Sequence, residues 1–184
     1  MPIEHDEQNL LHCLRSRDHG QFAEFVRRYE SQVFLCCKTM GLKEDQAEDV
    51  AAETFLAVWQ GLAAFDGRSK LSTWLWTIAY RKAINLLRRQ QPTVPFDEDF
   101  SDIAAPEPKP ESEHTEAVWN AVSRLPKAWS LIVILFYKQD KTLAEIAVIM
   151  GIPENTAKTY LHRARGRLKE YLAHLVEENQ NVCK

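Results

Sequence analysis

The sequence has little that would support a membrane protein, a secreted protein or a β fold. Its longest apolar run, residues 131–137, is far shorter than the ~20 residues that cross a bilayer. The acidic, polar residues 1–9 lack the layout of a signal peptide, so we expect a cytoplasmic protein without membrane insertion. Glycine occurs only six times, without a phosphate-binding loop, and β-branched residues rarely alternate with polar ones. A β-sandwich or a parallel-sheet nucleotide fold is therefore not expected.

Cysteine and histidine are too few and too scattered to indicate a catalytic or metal site. Four cysteines in a cytoplasmic chain predict reduced thiols rather than a disulfide framework. The six histidines show no zinc-ligand spacing, and no paired carboxylates or nucleophile–base motif is visible. We therefore predict no metal, no cofactor and no enzymatic activity.

Charge is distributed unevenly along the chain, although the net charge is only −3. The net charge is −6 over residues 1–66, +6 over residues 67–91, −7 over residues 92–118 and +4 over residues 119–184. Two basic blocks separated by an acidic one indicate an anionic partner that is contacted at two places. The alternative is random clustering of solvated charge.

Residues 92–113 contain five of the eight prolines, together with acidic residues and serine. Such a segment can bury little apolar surface, so we predict a flexible acidic linker. The chain then divides into a first domain, residues 1–91, the linker, residues 92–113, and a second domain, residues 114–184.

Both domains are predicted to be helical because their apolar residues recur at steps of three and four. In the first domain, the pattern predicts helices that end near Gly41, Gly61 and Arg89. In the second, it predicts a short helix, a buried helix over residues 129–137, a helix that begins with a capping box at Thr142, and a long last helix. The predicted fold class is all-α, with two small helical domains joined by an acidic, proline-rich linker.

The sharpest motif is a helix-turn-helix over residues 142–165. Ala147 is small where two helices would cross, and Gly151 follows four residues later, where a tight turn requires a positive φ. Residues 155–169 carry five Lys/Arg and no acidic residue. Hydroxyl and cationic donors on this helix suit base edges and phosphates in a major groove. The alternative is an ordinary amphipathic hairpin with a basic outer face.

Residues 71–90 interleave aromatic side chains with cations. Trp76 and Tyr80 share one helical face, whereas Trp74 and Arg81 share another. Aromatic rings can stack on unpaired bases while cations hold the phosphates, which favours single-stranded or melting DNA. On these residues alone, the stronger interpretation is that the tryptophans are core residues of a small helical domain.

The preceding helix has an acidic outer face that includes Asp45, Asp49 and Glu53, with Glu44 and Glu48 beside them. Such a face would repel DNA and could instead dock on a basic protein surface. The alternative is a solvated helix face.

Taken together, these features resemble a bacterial extracytoplasmic-function (ECF) sigma factor of the two-domain kind, with regions 2 and 4. AEDVAAETF, residues 47–55, resembles the polymerase-binding helix of that family. FDGRS, residues 65–69, with the tryptophan helix that follows, resembles its promoter-melting segment. TAKT, residues 156–159, with LHRAR, residues 161–165, resembles its recognition helix.

The resemblance implies an alternative sigma factor that binds core RNA polymerase and directs promoter-specific transcription initiation. Polymerase binding would involve Asp45, Glu48, Asp49 and Glu53. Recognition and melting of the minus-10 element would involve Asp66, Gly67, Arg68, Ser69, Lys70, Trp74, Trp76, Tyr80, Arg81, Asn85 and Arg88. The minus-35 element would be read by Thr156, Lys158, Thr159, Tyr160, His162, Arg163 and Arg165.

The partners that the resemblance implies are core RNA polymerase, through its β′ clamp helices and β flap, promoter DNA and an anti-sigma factor. We expect the free protein to be monomeric. Three residues depart from the family pattern, since Ala52, Asn85 and Tyr160 stand where glutamine, aspartate and arginine are usual. A bidentate guanine contact would be lost at Tyr160, so the minus-35 preference cannot be transferred from a relative.

Two other functions stay open on sequence grounds. A stand-alone helix-turn-helix regulator would be dimeric and would bind specific DNA without polymerase. The aromatic, basic helix and the acidic helix argue against it. A pure interaction protein that sequesters a partner would not depend on DNA, and charge reversal at Lys158 and Arg163 would leave its activity intact.

Overall fold

The computed structural model describes residues 11, 14, 16–90 and 113–182, except for the side chains of residues 113–116 and 174–182. These residues form seven helices and no strand. The helices are α1 (His19–Thr39), α2 (Glu44–Gly61), α3 (Leu71–Gln90), α4 (Glu113–Ser123), α5 (Lys127–Tyr137), α6 (Leu143–Met150) and α7 (Glu154–Val182). The all-α prediction is confirmed. The predicted linker lies outside the described residues except for Glu113, which begins α4.

The first unit consists of α1, α2 and α3, each of which packs against the other two. The Asp18 carboxylate caps α1, since it accepts hydrogen bonds from the backbone N–H groups of Gly20 and Gln21 at 2.8 and 3.1 Å. The predicted helix end at Gly41 is confirmed, with a φ of 95°. The helices bury Phe25, Val58 and others at helical spacing, so one apolar core fixes all three.

The second unit consists of α4 to α7. Most of α5 is buried, as its nearly continuous apolar sequence predicts, and α7 packs against the other three helices. The buried hydroxyl of Ser130 in α5 donates to the backbone carbonyl of Val122 in α4 at 2.8 Å. This bond secures the short α4 to the buried helix.

Within the second unit, α6 and α7 form the predicted helix-turn-helix. The Thr142 hydroxyl accepts from the Glu145 N–H at 3.2 Å, and the Glu145 carboxylate accepts from the Thr142 N–H at 2.9 Å, which completes the capping box. Gly151 ends α6 with a φ of 66°. Both predictions are confirmed, and α7 buries Ala157 and Leu161 on its inner side.

The two units are in contact with each other, because α3 packs against α6 and α1 packs against α5. Their buried apolar residues form one continuous cluster. Among the residues described, no helix is both long and apolar enough to cross a membrane.

We expect Gly151→Ala and Gly166→Ala to change stability in opposite directions. An alanine at 151 would be held at positive φ, which costs about 1 kcal/mol. Gly166 is exposed inside α7, with open space where its Cβ would lie, so alanine there should add about 0.5–1 kcal/mol. The urea midpoint should fall for the first variant and rise for the second. A rise for both would contradict the positive-φ turn.

Candidate nucleic-acid interface

The outer face of α2 is an acidic surface, which we define as Asp45, Glu48, Asp49 and Glu53; all four are exposed. The opposite side of the helix buries Ala47 and Val50 in the first unit. The apolar spacing thus places the acidic residues on the side away from the core, where a protein partner can reach them.

One residue of the acidic surface is tied to the basic helix α3. The Lys82 ammonium lies 2.8 Å from a carboxylate oxygen of Glu53 and donates a hydrogen bond to it. This bond and the charge of Lys82 lower the pKa of Glu53, and Arg89 adds to the effect. A groove of about 240 Å³ between α2 and α3 is lined by Asp49 and Asn85 as well as these charges.

The loop between α2 and α3 is held by a local turn at Asp66. Its carboxylate accepts from the backbone N–H of Arg68 at 3.0 Å and pairs with the Arg68 guanidinium at 3.0 Å. Gly67 between them has a φ of 76°, a conformation that favours glycine. The side chain of Arg68 is 90% exposed, so the turn presents a cation to solvent.

Trp74, in the first turn of α3, is fixed on its inner side and open on the other. Its ring stacks on Phe65 with centroids 4.8 Å apart, and it covers Gly61, where an added Cβ would lie 3.0 Å from the ring. Trp74 is half-buried, and Arg81, Asn85 and Arg88 are exposed on the same face of α3. The structure therefore places four of the eleven predicted minus-10 residues on one face of α3.

Trp76 and Tyr80 lie on a different side of α3 and are buried, with 1% and 8% of their surface exposed. The interpretation of the tryptophans as core residues thus describes Trp76, whereas Trp74 is half-buried. In this conformation, neither buried ring can stack on a base. The Trp76 indole N–H is buried without an acceptor among the described residues.

The outer face of α7 presents Lys158, Thr159, His162, Arg163 and Arg165 to solvent. Thr156 and Tyr160 are half-buried. The Tyr160 ring lies on the inner side, with its centroid 6.5 Å from that of Trp129. The position where the sequence departs from the family arginine is thus one where an aromatic ring packs inside the unit.

Sequence reasoning missed Tyr137, which holds one of the predicted DNA-binding cations. The Arg165 Nε donates to the Tyr137 hydroxyl at 2.7 Å, and the guanidinium lies 5.5 Å from the ring centroids of Tyr137 and Phe136. Tyr137 is 56% exposed at the end of an otherwise buried helix. The sequence feature that could have identified Tyr137 is an aromatic residue with a polar hydroxyl at the end of an apolar helix.

Comparisons with known proteins assign both units. Residues 25–93 match the model of sigma-70 region 2, and residues 115–168 match that of sigma-70 region 4. The RNA polymerase sigma factor YlaC of Bacillus subtilis is 32% identical over 166 residues, which cover 85% of this chain and 95% of that protein. The ECF RNA polymerase sigma factor SigW of the same species is 29% identical, over 88% of this chain and 94% of SigW.

The chain is an ECF sigma factor. It acts as an alternative sigma factor in promoter-specific transcription. The same fold occurs in the sigma factor RpoE of Bartonella quintana in complex with the anti-sigma factor NepR, with a TM-score of 0.66, 24% identity and coverage of 83% of this chain and 96% of that one. It also occurs in CnrH, in complex with the cytosolic domain of CnrY, with a TM-score of 0.65, 20% identity and coverage of 91% and 97%.

Two cysteines of this sigma factor, Cys36 and Cys37, are buried in α1. Burial raises the pKa of Cys37 to about 12, against a small lowering by a backbone hydrogen bond. Burial and the neighbouring Cys37 raise the pKa of Cys36 well above its usual range. In the described part of the chain, no three His, Cys, Asp or Glu side chains are placed to hold a metal ion.

We expect Cys36 and Cys37 to resist iodoacetamide at pH 8 in the native protein. A pKa of about 12 leaves about one thiolate in ten thousand at that pH, and burial blocks access. Peptide mapping by mass spectrometry should find both unmodified until denaturant is added, and modified afterwards. Rapid modification of the native protein would contradict their place in a closed core.

Proposed function

We propose that this sigma factor binds core RNA polymerase through the acidic surface of α2 and divides promoter recognition between its two units. The observation that carries the proposal is the segregation of exposed charge. Acidic residues occupy the outer face of α2, whereas cations occupy the outer faces of α3 and α7. A surface of one sign attracts a partner of the other and repels DNA or protein of its own sign. We place the protein in the cytoplasm and infer no enzymatic activity.

In the first unit, the 66–70 loop and the exposed face of α3 would capture the minus-10 element. Removing a base from the duplex costs a few kcal/mol. Stacking on the open face of Trp74 and phosphate contacts of Arg81 and Arg88 can offset that cost. Trp76 and Tyr80 would take part only in a conformation that uncovers them.

In the second unit, α7 would enter the major groove at the minus-35 element. Lys158, His162 and Arg165 follow one another at helical spacing on its exposed face. A helix of this kind reads base edges near its start and contacts phosphates along its length. Tyr137 would act as a positioning residue, because it holds the Arg165 guanidinium while leaving its terminal nitrogens for a phosphate.

The partners follow from the same surfaces. Core RNA polymerase would bind the acidic surface. On the polymerase, we propose the β′ clamp helices and the β flap as the parts that contact this sigma factor. An anti-sigma factor is a further proposed partner, since the RpoE structure contains one. We expect the free protein to be a monomer and to bind promoter DNA poorly without polymerase. A stand-alone regulator would instead bind specific DNA without polymerase, so poor binding by the free protein excludes that function.

Reversing charge on the acidic surface should weaken polymerase binding strongly. We expect Asp45→Arg with Asp49→Arg to weaken binding of core RNA polymerase by about a hundredfold, because like charges would face each other across the interface. These two positions leave the Glu53–Lys82 pair intact. The affinity can be measured by fluorescence anisotropy of the labelled full chain.

Glu24→Arg with Glu30→Arg is the matched control, since both residues are exposed on α1 and the change in net charge is the same. The control should bind polymerase as the wild type does. Equal loss in both variants would mean that net charge, rather than the α2 surface, governs binding. Retention in both would contradict the proposed docking helix.

Removing the Tyr137 hydroxyl should weaken promoter binding without changing the fold. We expect Tyr137→Phe to reduce affinity about tenfold for a minus-35 duplex selected from a random library by the polymerase-bound protein, because a hydrogen bond to a charged group contributes about 1.5–3 kcal/mol. Arg165→Ala should lower the salt slope of binding by about one.

Tyr171→Phe is the control for Tyr137→Phe. The ring of Tyr171 lies 4.6 Å from the Arg124 guanidinium, and phenylalanine preserves this contact. Its affinity for the duplex should equal that of the wild type. If Tyr137→Phe also binds normally while Arg165→Ala does not, Tyr137 has no positioning role.

A further inference from the structure

Three polar contacts join the two units at the N-terminal end of α3. The Lys141 ammonium donates to the Ser72 hydroxyl at 2.6 Å. The Thr73 hydroxyl donates to the Oε1 atom of Glu145 at 3.0 Å, and the Lys70 ammonium lies 3.5 Å from the same atom. We define Lys70, Ser72, Thr73, Lys141 and Glu145 as the closing contact.

The closing contact is partly shielded from water: the Glu145 side chain is 17% exposed, whereas that of Lys70 is 52% exposed. Thr73 is 1% exposed and Lys141 is 8% exposed. A buried charge is costly unless it is hydrogen-bonded, and the bond to Ser72 offsets part of that cost for Lys141. Burial raises the pKa of Glu145, but hydrogen bonds from Thr142 and Thr73 and the charge of Lys141 outweigh it, and the pKa is lowered.

The closing contact lies on the same side of α3 as Trp76. Successive residues of an α-helix are about 100° apart, so Trp76 points between the directions of Ser72 and Thr73, one turn further along. Ser72 and Thr73 face the second unit, and Trp76 is buried. The second unit therefore contacts the side of α3 on which Trp76 lies, one turn before it, and it engages Lys70, a predicted minus-10 residue, directly.

A closed molecule cannot reach both promoter elements. The minus-10 and minus-35 positions are about 25 base pairs apart, or about 85 Å along the duplex at about 3.4 Å per pair. A compact chain of 184 residues has a radius of gyration of about 16 Å. The 22 residues at 91–112, fully extended, span about 75 Å. The chain is long enough to bridge the elements only after the two units separate.

We propose that the closing contact is an autoinhibitory device, which keeps the free sigma factor shut and must break when polymerase binds. This inference rests on the proposed function and adds a regulation to it. When only a small fraction of the molecules is open, the apparent affinity for a partner that needs the open form is the intrinsic affinity multiplied by that fraction. Weakening the contact should thus raise the affinity for polymerase.

The test uses the full chain with Glu145→Gln and Lys141→Met. Glutamine preserves the capping box of α6, because it can also accept from the Thr142 N–H, while it removes the charge that faces Lys70 and Lys141. Methionine keeps the apolar stem of the lysine and removes its donor. We expect the radius of gyration from small-angle X-ray scattering to rise, and the affinity for core RNA polymerase to increase about tenfold.

Lys138→Met with Glu154→Gln is the matched control. Both residues are exposed in the second unit, outside the closing contact, and the change in charge is identical. Its radius of gyration and polymerase affinity should equal those of the wild type. Ser72→Ala, which removes the acceptor of the Lys141 bond on the first unit, should reproduce part of the effect. It should add little to Lys141→Met, because both changes remove the same bond between Lys141 and Ser72.

The two measurements separate the possible failures. An unchanged radius of gyration in the Glu145→Gln, Lys141→Met variant overturns the closing contact. A larger radius with unchanged polymerase affinity overturns its inhibitory role. If no variant, control or wild type binds polymerase, the proposed function fails, and the scattering result alone decides whether the contact closes the molecule. Far-UV circular dichroism at wild-type strength confirms that the variants are folded.

Discussion

The carboxylate of Glu145 connects the local structure of a helix to the arrangement of the whole molecule. One oxygen accepts from the N–H of Thr142 and starts α6, whereas the other accepts from Thr73 of the first unit. The first bond fixes where the helix-turn-helix begins. The second places that motif against α3. A short side chain in a capping position therefore serves both the secondary and the tertiary structure.

The division of charge depends on the same packing. The apolar faces of α2, α3 and α7 face the core, so their charged residues lie on outer surfaces, of which those of α2 and α3 adjoin at the Glu53–Lys82 pair. The net charge of −3 hides this separation, because acidic and basic surfaces cancel in the sum. A protein with this distribution can attract a basic protein surface and an acidic polymer at different places.

The sequence predicted those parts of the fold that are local. Gly41, Gly151 and the Thr142 capping box act within a few residues, and periodic apolar spacing identified the helices. Contacts between distant residues were not predictable: 72 positions separate Thr73 from Glu145, and 28 separate Tyr137 from Arg165. Helical spacing put Trp76 and Tyr80 on one face, but only the folded structure shows that this face is buried. The placement of the Tyr160 ring near Trp129 is likewise a contact between distant residues and was not predictable from the sequence.

The indole N–H of Trp76 is buried and has no acceptor among the described residues. An unmet donor of this kind costs about 1–3 kcal/mol. An acceptor in the right place would remove this cost and make the folded molecule more stable by the same amount. The ring at this position therefore contributes less to stability than its burial alone would give.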